Sequence, residues 1–138
     1  MNFRLMNETD KNFVLSTWLK SYYESLKAFD EYLAFNKLKG FVYPKDDIFF
    51  QGHQNKIKDK LKNAECMVCT APDDDSQIIG WIVYEPTVIH YIYVKQVFRK
   101  YGIAKKLKAR VPTAIKYSHH TKFAKYLKQG LTYDPYTF

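Results

Sequence analysis

Residues 88–111 read Val-Ile-His-Tyr-Ile-Tyr-Val-Lys-Gln-Val-Phe-Arg-Lys-Tyr-Gly-Ile-Ala-Lys-Lys-Leu-Lys-Ala-Arg-Val. The first seven are β-branched or aromatic apart from His90, the composition of a strand. A short connection follows. The helix-forming run 104–111 comes next and is stopped by Pro112, which cannot continue a helix. Where a helix starts, its first N–H groups have no partner within the helix, and the macrodipole adds positive charge. Gly102 and Ala104 are small enough to let an anionic group approach that backbone, and Lys100, Lys105, Lys106 and Lys108 surround it with charge. Two readings stand side by side: a cradle for a pyrophosphate, or an ordinary strand-to-helix turn with solvated lysines.

The charge distribution bears on the same half of the chain. Residues 1–85 carry 11 basic and 13 acidic side chains, whereas 86–138 carry 11 basic and one acidic, Asp134. Such asymmetry points to an anionic ligand, nucleic acid or a membrane surface. With 138 residues, 46% hydrophobic and 17% aromatic, the chain suits a single domain spanning 1–138 and is too apolar for disorder. No run is long enough to span a bilayer and no secretory signal is visible, so a cytoplasmic protein without membrane association is expected.

Working outward, residues 2–6 suggest a first strand. Asn7 is placed to cap a helix, with Asp10 at the capping-box position. Phe13, Val14, Trp18, Tyr22 and Leu26 recur at helical spacing and predict a core-facing helix over 10–26. A second short helix is expected over 30–39, capped by Gly40, with an extended connection at 41–44. Pro44, Asp46 and Asp47 open a helix to about residue 63. Strands follow at 64–71 and 77–85, joined by the turn 72–76. The second is nearly continuous in apolar residues, as a strand covered on both faces should be, and Gly80 is expected to mark a bulge. After Pro112, residues 113–117 suggest another strand. Residues 121–129 suggest a basic helix capped by Gly130, and 131–138 an aromatic tail.

Cys66 and Cys69 form a lone C-x-x-C. At i and i+3 on a strand their side chains face opposite sides, and no second Cys/His pair completes a zinc site. Two buried thiols are expected. His119-His120 has no accompanying ligand spacing, so no metal is expected.

The segment Tyr93-Val94-x-x-x-x-Arg99-x-x-Gly102-x-Ala104 resembles the acetyl-CoA signature of the GCN5-related N-acetyltransferase (GNAT) superfamily, which lies between a strand ending in valine and a helix. Tyr126-Leu127-Lys128-Gln129-Gly130-Leu131 is similar to that family's Tyr-x-x-x-Gly-Phe segment. The overall look is similar to compact acetyltransferase-like proteins often encoded by phages. The chain departs from the pattern in having Gln96 where a proline often stands, a helix cut short by Pro112, and few residues after 117. The resemblance implies an α+β fold: a mixed, mostly antiparallel central sheet flanked by helices, with the final strand pair reduced or absent.

The resemblance also implies acetyl-CoA as cosubstrate and a primary amine of unidentified chemistry as acceptor, attacking the thioester directly. Tyr93 and Val94 would meet the pantetheine. Arg99, Lys100, Tyr101, Gly102, Ile103, Ala104 and Lys105 would meet the pyrophosphate. Tyr126 matches the family's tyrosine that protonates the leaving thiolate, or is a core tyrosine. His90 and Glu85 are the candidate bases for the ammonium proton, against readings as a packed core histidine and a solvated turn residue. His53, His119 and His120 suggest no partner. Two rivals remain: a basic nucleic-acid-binding domain, and an inactive acetyltransferase-like fold that binds proteins. A monomer and a homodimer are both compatible with the sequence.

Overall fold

The computed structural model describes residues 1–35, 46–121 and 130–138. Strand β1 (Asn2–Leu5) leads through a 3-10 turn (Glu8–Asp10) into α1 (Lys11–Phe35). Helix α2 (Asp46–Asn63) follows, then β2 (Glu65–Ala71), β3 (Asp74–Glu85), β4 (Val88–Val94) and α3 (Ile103–Lys108). The chain closes with β5 (Lys116–Tyr117), β6 (Thr132–Tyr133) and a 3-10 turn (Pro135–Thr137). The six strands form one sheet in chain order, antiparallel from β1 to β4 and parallel for β4–β5 and β5–β6. This is the expected mixed, mostly antiparallel α+β architecture. No described helix is long and apolar enough to cross a membrane.

The N-terminal cap forms as the sequence indicates. The Asn7 side chain accepts from Asp10 N, and Asp10 Oδ2 accepts from Asn7 N at 2.9 Å. Asp10 also takes Arg4 from β1, Nη1 to Oδ2 at 2.6 Å and Nη2 to Oδ1 at 3.2 Å. That guanidinium holds the Asp10 carboxyl below its ordinary value, against the opposing pull of burial. A carboxyl whose pKa is lowered on folding adds stability above the unfolded value, and loses it as pH falls through the folded one. Asp10→Asn should therefore cost about 1–3 kcal/mol at pH 7, the cost of breaking a charged hydrogen bond. In urea melts at several pH values, that difference should shrink below about pH 4; a pH-independent difference would show that the charge is not responsible.

The sheet is covered on both faces. On one, Val14, Trp18 and Leu19 of α1 and Ile57 of α2 pack on Cys66, Val68, Trp81, Val83 and Tyr91. On the other, Ile103 and Leu107 of α3 pack on Cys69, Ile79, Ile82, Ile89 and Val94. The two cysteines are buried on opposite faces, as their spacing requires, and burial pushes the Cys66 thiol up to about 12.

Several boundaries differ from expectation. Helix α1 runs unbroken to Phe35, so no separate helix starts at Asp30; residues 27–35 contain neither glycine nor proline to stop it. The expected Gly40 cap, the extended segment 41–44 and most of the helix at 121–129 lie outside the described residues. Strand β3 begins at Asp74, leaving only Pro72 and Asp73 in the turn. The extra residue of the β2–β3 bulge is Ile79, since Cys69 faces Gly80 and Thr70 faces Ile78. Gly80 thus borders the bulge, as expected, and is also a point of close approach: a Cβ there would lie 2.7 Å from the Tyr93 carbonyl oxygen.

Helix α3 has six residues rather than eight. Its end tightens through Arg110 N to Leu107 O and Val111 N to Lys108 O, because Pro112 drives the preceding residue out of the helical region. Strand β5 has two residues, not five, since Thr87 O accepts from both Ile115 N and Lys116 N. The tail is not free: it supplies β6, and Asp134 caps the last turn through Tyr136 N.

Candidate functional site

Strands β4 and β5 run parallel but pair only at Val88–Lys116 and Ile89–Tyr117. Beyond that pair β4 continues five residues to Val94 with no described strand beside it. The edge it exposes follows from the β3–β4 ladder. Lys95 N donates to Ile79 O at 2.8 Å. The alternation of an antiparallel pair then turns the main-chain groups of Tyr93 toward β3, and those of Ile92 and Val94 toward the open side. The Tyr93 ring lies half-buried, 5.8 Å from Trp81 and 6.3 Å from Phe13.

This open edge leads into the basic loop. Arg99 donates from Nε to Val94 O at 3.0 Å, folding the loop back onto the strand end. Lys100 has φ 72°, a left-handed conformation that lysine seldom adopts. Gly102 has φ 78° and caps α3. Among the described residues, a Cβ added to Gly102 would meet no atom beyond its chain neighbours within 4 Å. Tyr101, Lys105 and Lys106 are exposed, Ala104 is half-buried, and Ile103 is buried as the anchor of α3. Residues 95–111 contain seven basic side chains and no acidic one.

At the apex where β4 and β5 part lies a buried polar chain. The β3–β4 ladder shifts register between Val83 and Tyr84, which makes His90 the extra residue of a bulge. His90 is fully buried. Its Nε2 donates to Glu85 Oε2 at 2.5 Å, so the two candidate bases form one unit. On its other side Nδ1 meets Ser118 Oγ at 2.8 Å. Ser118 Oγ meets His119 Nδ1 at 3.0 Å, and His119 Nε2 meets His53 Nε2 of α2 at 3.4 Å. Lys60 of α2 donates to Glu85 Oε2 at 3.3 Å. Phe138 closes the cluster, 4.4 Å from the His119 ring, 5.7 Å from His90 and 5.7 Å from His53.

The electrostatics assign the charge states. The hydrogen bond from His90, aided by Lys60, holds Glu85 below the usual carboxylate value despite its partial burial. Burial pushes His90 down, and Glu85 only partly offsets this. Burial drives His119 well down, and burial with the Lys56 charge takes His53 to about 4. Near pH 7, Glu85 is therefore ionised and all three imidazoles are neutral.

Tyr126 lies outside the described residues. Ser118, His119, His53 and Lys60 were not legible in the sequence. His119 sat beside His120 in a pair without ligand spacing, yet the two diverge, His120 stacking on Tyr117 at 6.2 Å. A separate concavity of about 440 Å3, lined by Arg4, Asp10, Phe13, Asp75 and Lys95 among others, contains none of this chain of polar groups.

No protein-family model matches the sequence, and no curated protein matches it. Solved structures do match. The BH1408 protein from Bacillus halodurans, solved as a point mutant, superposes with a TM-score of 0.53 at 14% identity, over 94% of this chain and 88% of that one. A GCN5-related N-acetyltransferase from Rhodopseudomonas palustris superposes with a TM-score of 0.52 at 12% identity, over 79% of this chain. Of that protein's own length, 61% is spanned. At these identities the likeness is one of fold.

Proposed function

The chain has the fold of the GCN5-related N-acetyltransferases, and we propose that it transfers an acetyl group from acetyl-CoA to a primary amine. The observation that carries this reading is the gap between β4 and β5. Among the described residues it leaves the strand edge unpaired at Ile92 and Val94, and that edge runs directly into a basic loop bent by left-handed Lys100 and Gly102. An extended, amide-bearing arm fits the edge by strand-like pairing. The main-chain groups on this side are those of Ile92 and Val94, the Val94 carbonyl already accepting from Arg99 Nε, with Tyr93 contributing its ring rather than its backbone. A pyrophosphate fits the loop, where the lack of a side chain at Gly102, the absence of acidic side chains and the charges of Arg99, Lys100 and Lys105 favour an anion. Tyr101 and Ala104 flank this loop, and Ile103 fixes it to the core.

The thioester supplies the activated acetyl group when bound. The chain's part is to place the amine and to take its proton. His90 and Glu85 act together in that step. The carboxylate fixes the imidazole with its proton on Nε2, leaves Nδ1 as the basic nitrogen, and stabilises the imidazolium once Nδ1 is protonated. The side chain of Glu85 is 33% exposed, which lets the proton leave to solvent afterwards. Tyr126 is assigned to the leaving thiolate on the resemblance of its segment.

Thermal melting with acetyl-CoA tests the reading. At a ligand concentration 100 times Kd the protein should gain about 2.7 kcal/mol, or roughly 5–10 °C in Tm. No rise at millimolar acetyl-CoA would sink the proposal.

A further inference from the structure

The hydrogen bonds around Ser118 run in one direction. An ionised carboxylate only accepts, so His90 must donate from Nε2 to Glu85. A neutral His90 then accepts at Nδ1, and the donor is the Ser118 hydroxyl at 2.8 Å. The His90 carbonyl lies farther from that hydroxyl, at 3.5 Å. With its single proton so used, Ser118 Oγ must accept from His119 Nδ1. His119, neutral as well, accepts at Nε2 from His53 Nε2. Each member fixes the tautomer of the next, from α2 to the turn between β3 and β4.

We propose that Ser118 is the relay through which the acceptor amine's proton reaches His90, with His119 and His53 as the residues that hold its hydroxyl in the donating orientation. The purpose assigned to the relay rests on the transferase reading; its polarity does not. The placement is specific. Ser118 follows the last paired residue of β5 and its N donates to Ile89 O, so it stands beside His90 at the point where the two strands part. The oxygen keeps one lone pair after accepting from His119. In the step, an ammonium N–H bond breaks as a bond to Ser118 Oγ forms. The serine's own O–H breaks as N–H forms at His90 Nδ1. Positive charge passes from the ammonium to an imidazolium that faces the Glu85 carboxylate, and Ser118 ends neutral with one proton. Among the described residues, charged and titratable groups around the chain include Lys60, Lys56 and His53 from α2, Tyr22 from α1 and Tyr91 from β4.

Two measurements test this. NMR of the full chain, labelled with 15N in its imidazoles at neutral pH, should show the proton on Nε2 of His90 and on Nδ1 of His119. The second is the less usual form in water, and Ser118→Ala should release it. His119 with its proton on Nε2, or tautomers that ignore Ser118→Ala, would overturn the relay whatever the activity. In steady-state kinetics, Ser118→Ala should lower kcat about 10²-fold, a typical contribution of proton transfer. The KM for acetyl-CoA should stay unchanged, and Ser118→Thr, which keeps the hydroxyl, should restore most of kcat. Equal kcat for the alanine and threonine variants would reduce Ser118 to packing. A wild-type protein that transfers no acetyl group yet shows both tautomers would remove the transferase reading and leave the polarity of the chain in place.

Discussion

Gly102→Val should abolish the rise in Tm on adding acetyl-CoA, with affinity lowered at least about tenfold. Two effects add. The residue sits at φ 78°, where a side chain costs about 1–2 kcal/mol, so the loop itself is displaced. The new side chain also enters the space beside the backbone, where no described atom beyond its chain neighbours lies within 4 Å of the position a Cβ would take. Gly102→Asn separates the two, because asparagine tolerates the left-handed region. It should fold with little loss of stability and still fail to respond to acetyl-CoA. An asparagine variant with the full thermal response would move the phosphates away from this loop.

Glu85→Gln should lower kcat by roughly 10²–10⁴-fold, the range for loss of general-base function. The amide preserves an acceptor for His90 Nε2 and thus the packing at the bulge. It removes the charge that stabilises the imidazolium, and it leaves Lys60 facing a neutral group. The KM for acetyl-CoA should change little, since Glu85 stands at the turn between β3 and β4, away from the basic loop. Unimpaired turnover, measured by release of free CoA thiol, would take Glu85 and His90 out of the chemistry together.

What the sequence made legible follows its local signals. Residues 88–94 carry their own strand propensity, Gly102 its own conformational freedom, and Asn7 with Asp10 their own cap, so each was readable without knowing any neighbour. The opposite faces of Cys66 and Cys69 followed from strand geometry alone. The bulge at His90 did not, because it depends on the register between two strands. Without that bulge nothing joins Glu85 to His90, and they read as alternatives. His53 and His119 are 66 residues apart and meet only once α2 packs on the sheet. The length of β5 was overestimated because β-propensity in 113–115 is overridden by the bond geometry at Thr87. The tail, short and aromatic, gave no sign that Thr132 and Tyr133 would extend the sheet.

The two-residue strands have a kinetic meaning. Cooperative opening of a protein proceeds in units, and those with few ladder bonds and little buried surface open at the lowest free energy. Strands β1–β4 form a continuous antiparallel block, whereas β5 and β6 hold by two register pairs each. Ser118 and His119 lie on the short-laddered side of that boundary, held there by burial against Trp18, Tyr91 and Phe138 rather than by ladder bonds, and His90 with Glu85 lie on the long-laddered side. The proposed proton path therefore crosses from the long antiparallel ladder to the short parallel one. Its continuity depends on that packing as well as on the two register pairs, so a change far from the chemistry that loosens the β5 margin should lower turnover by reducing the fraction of molecules in which the path is whole.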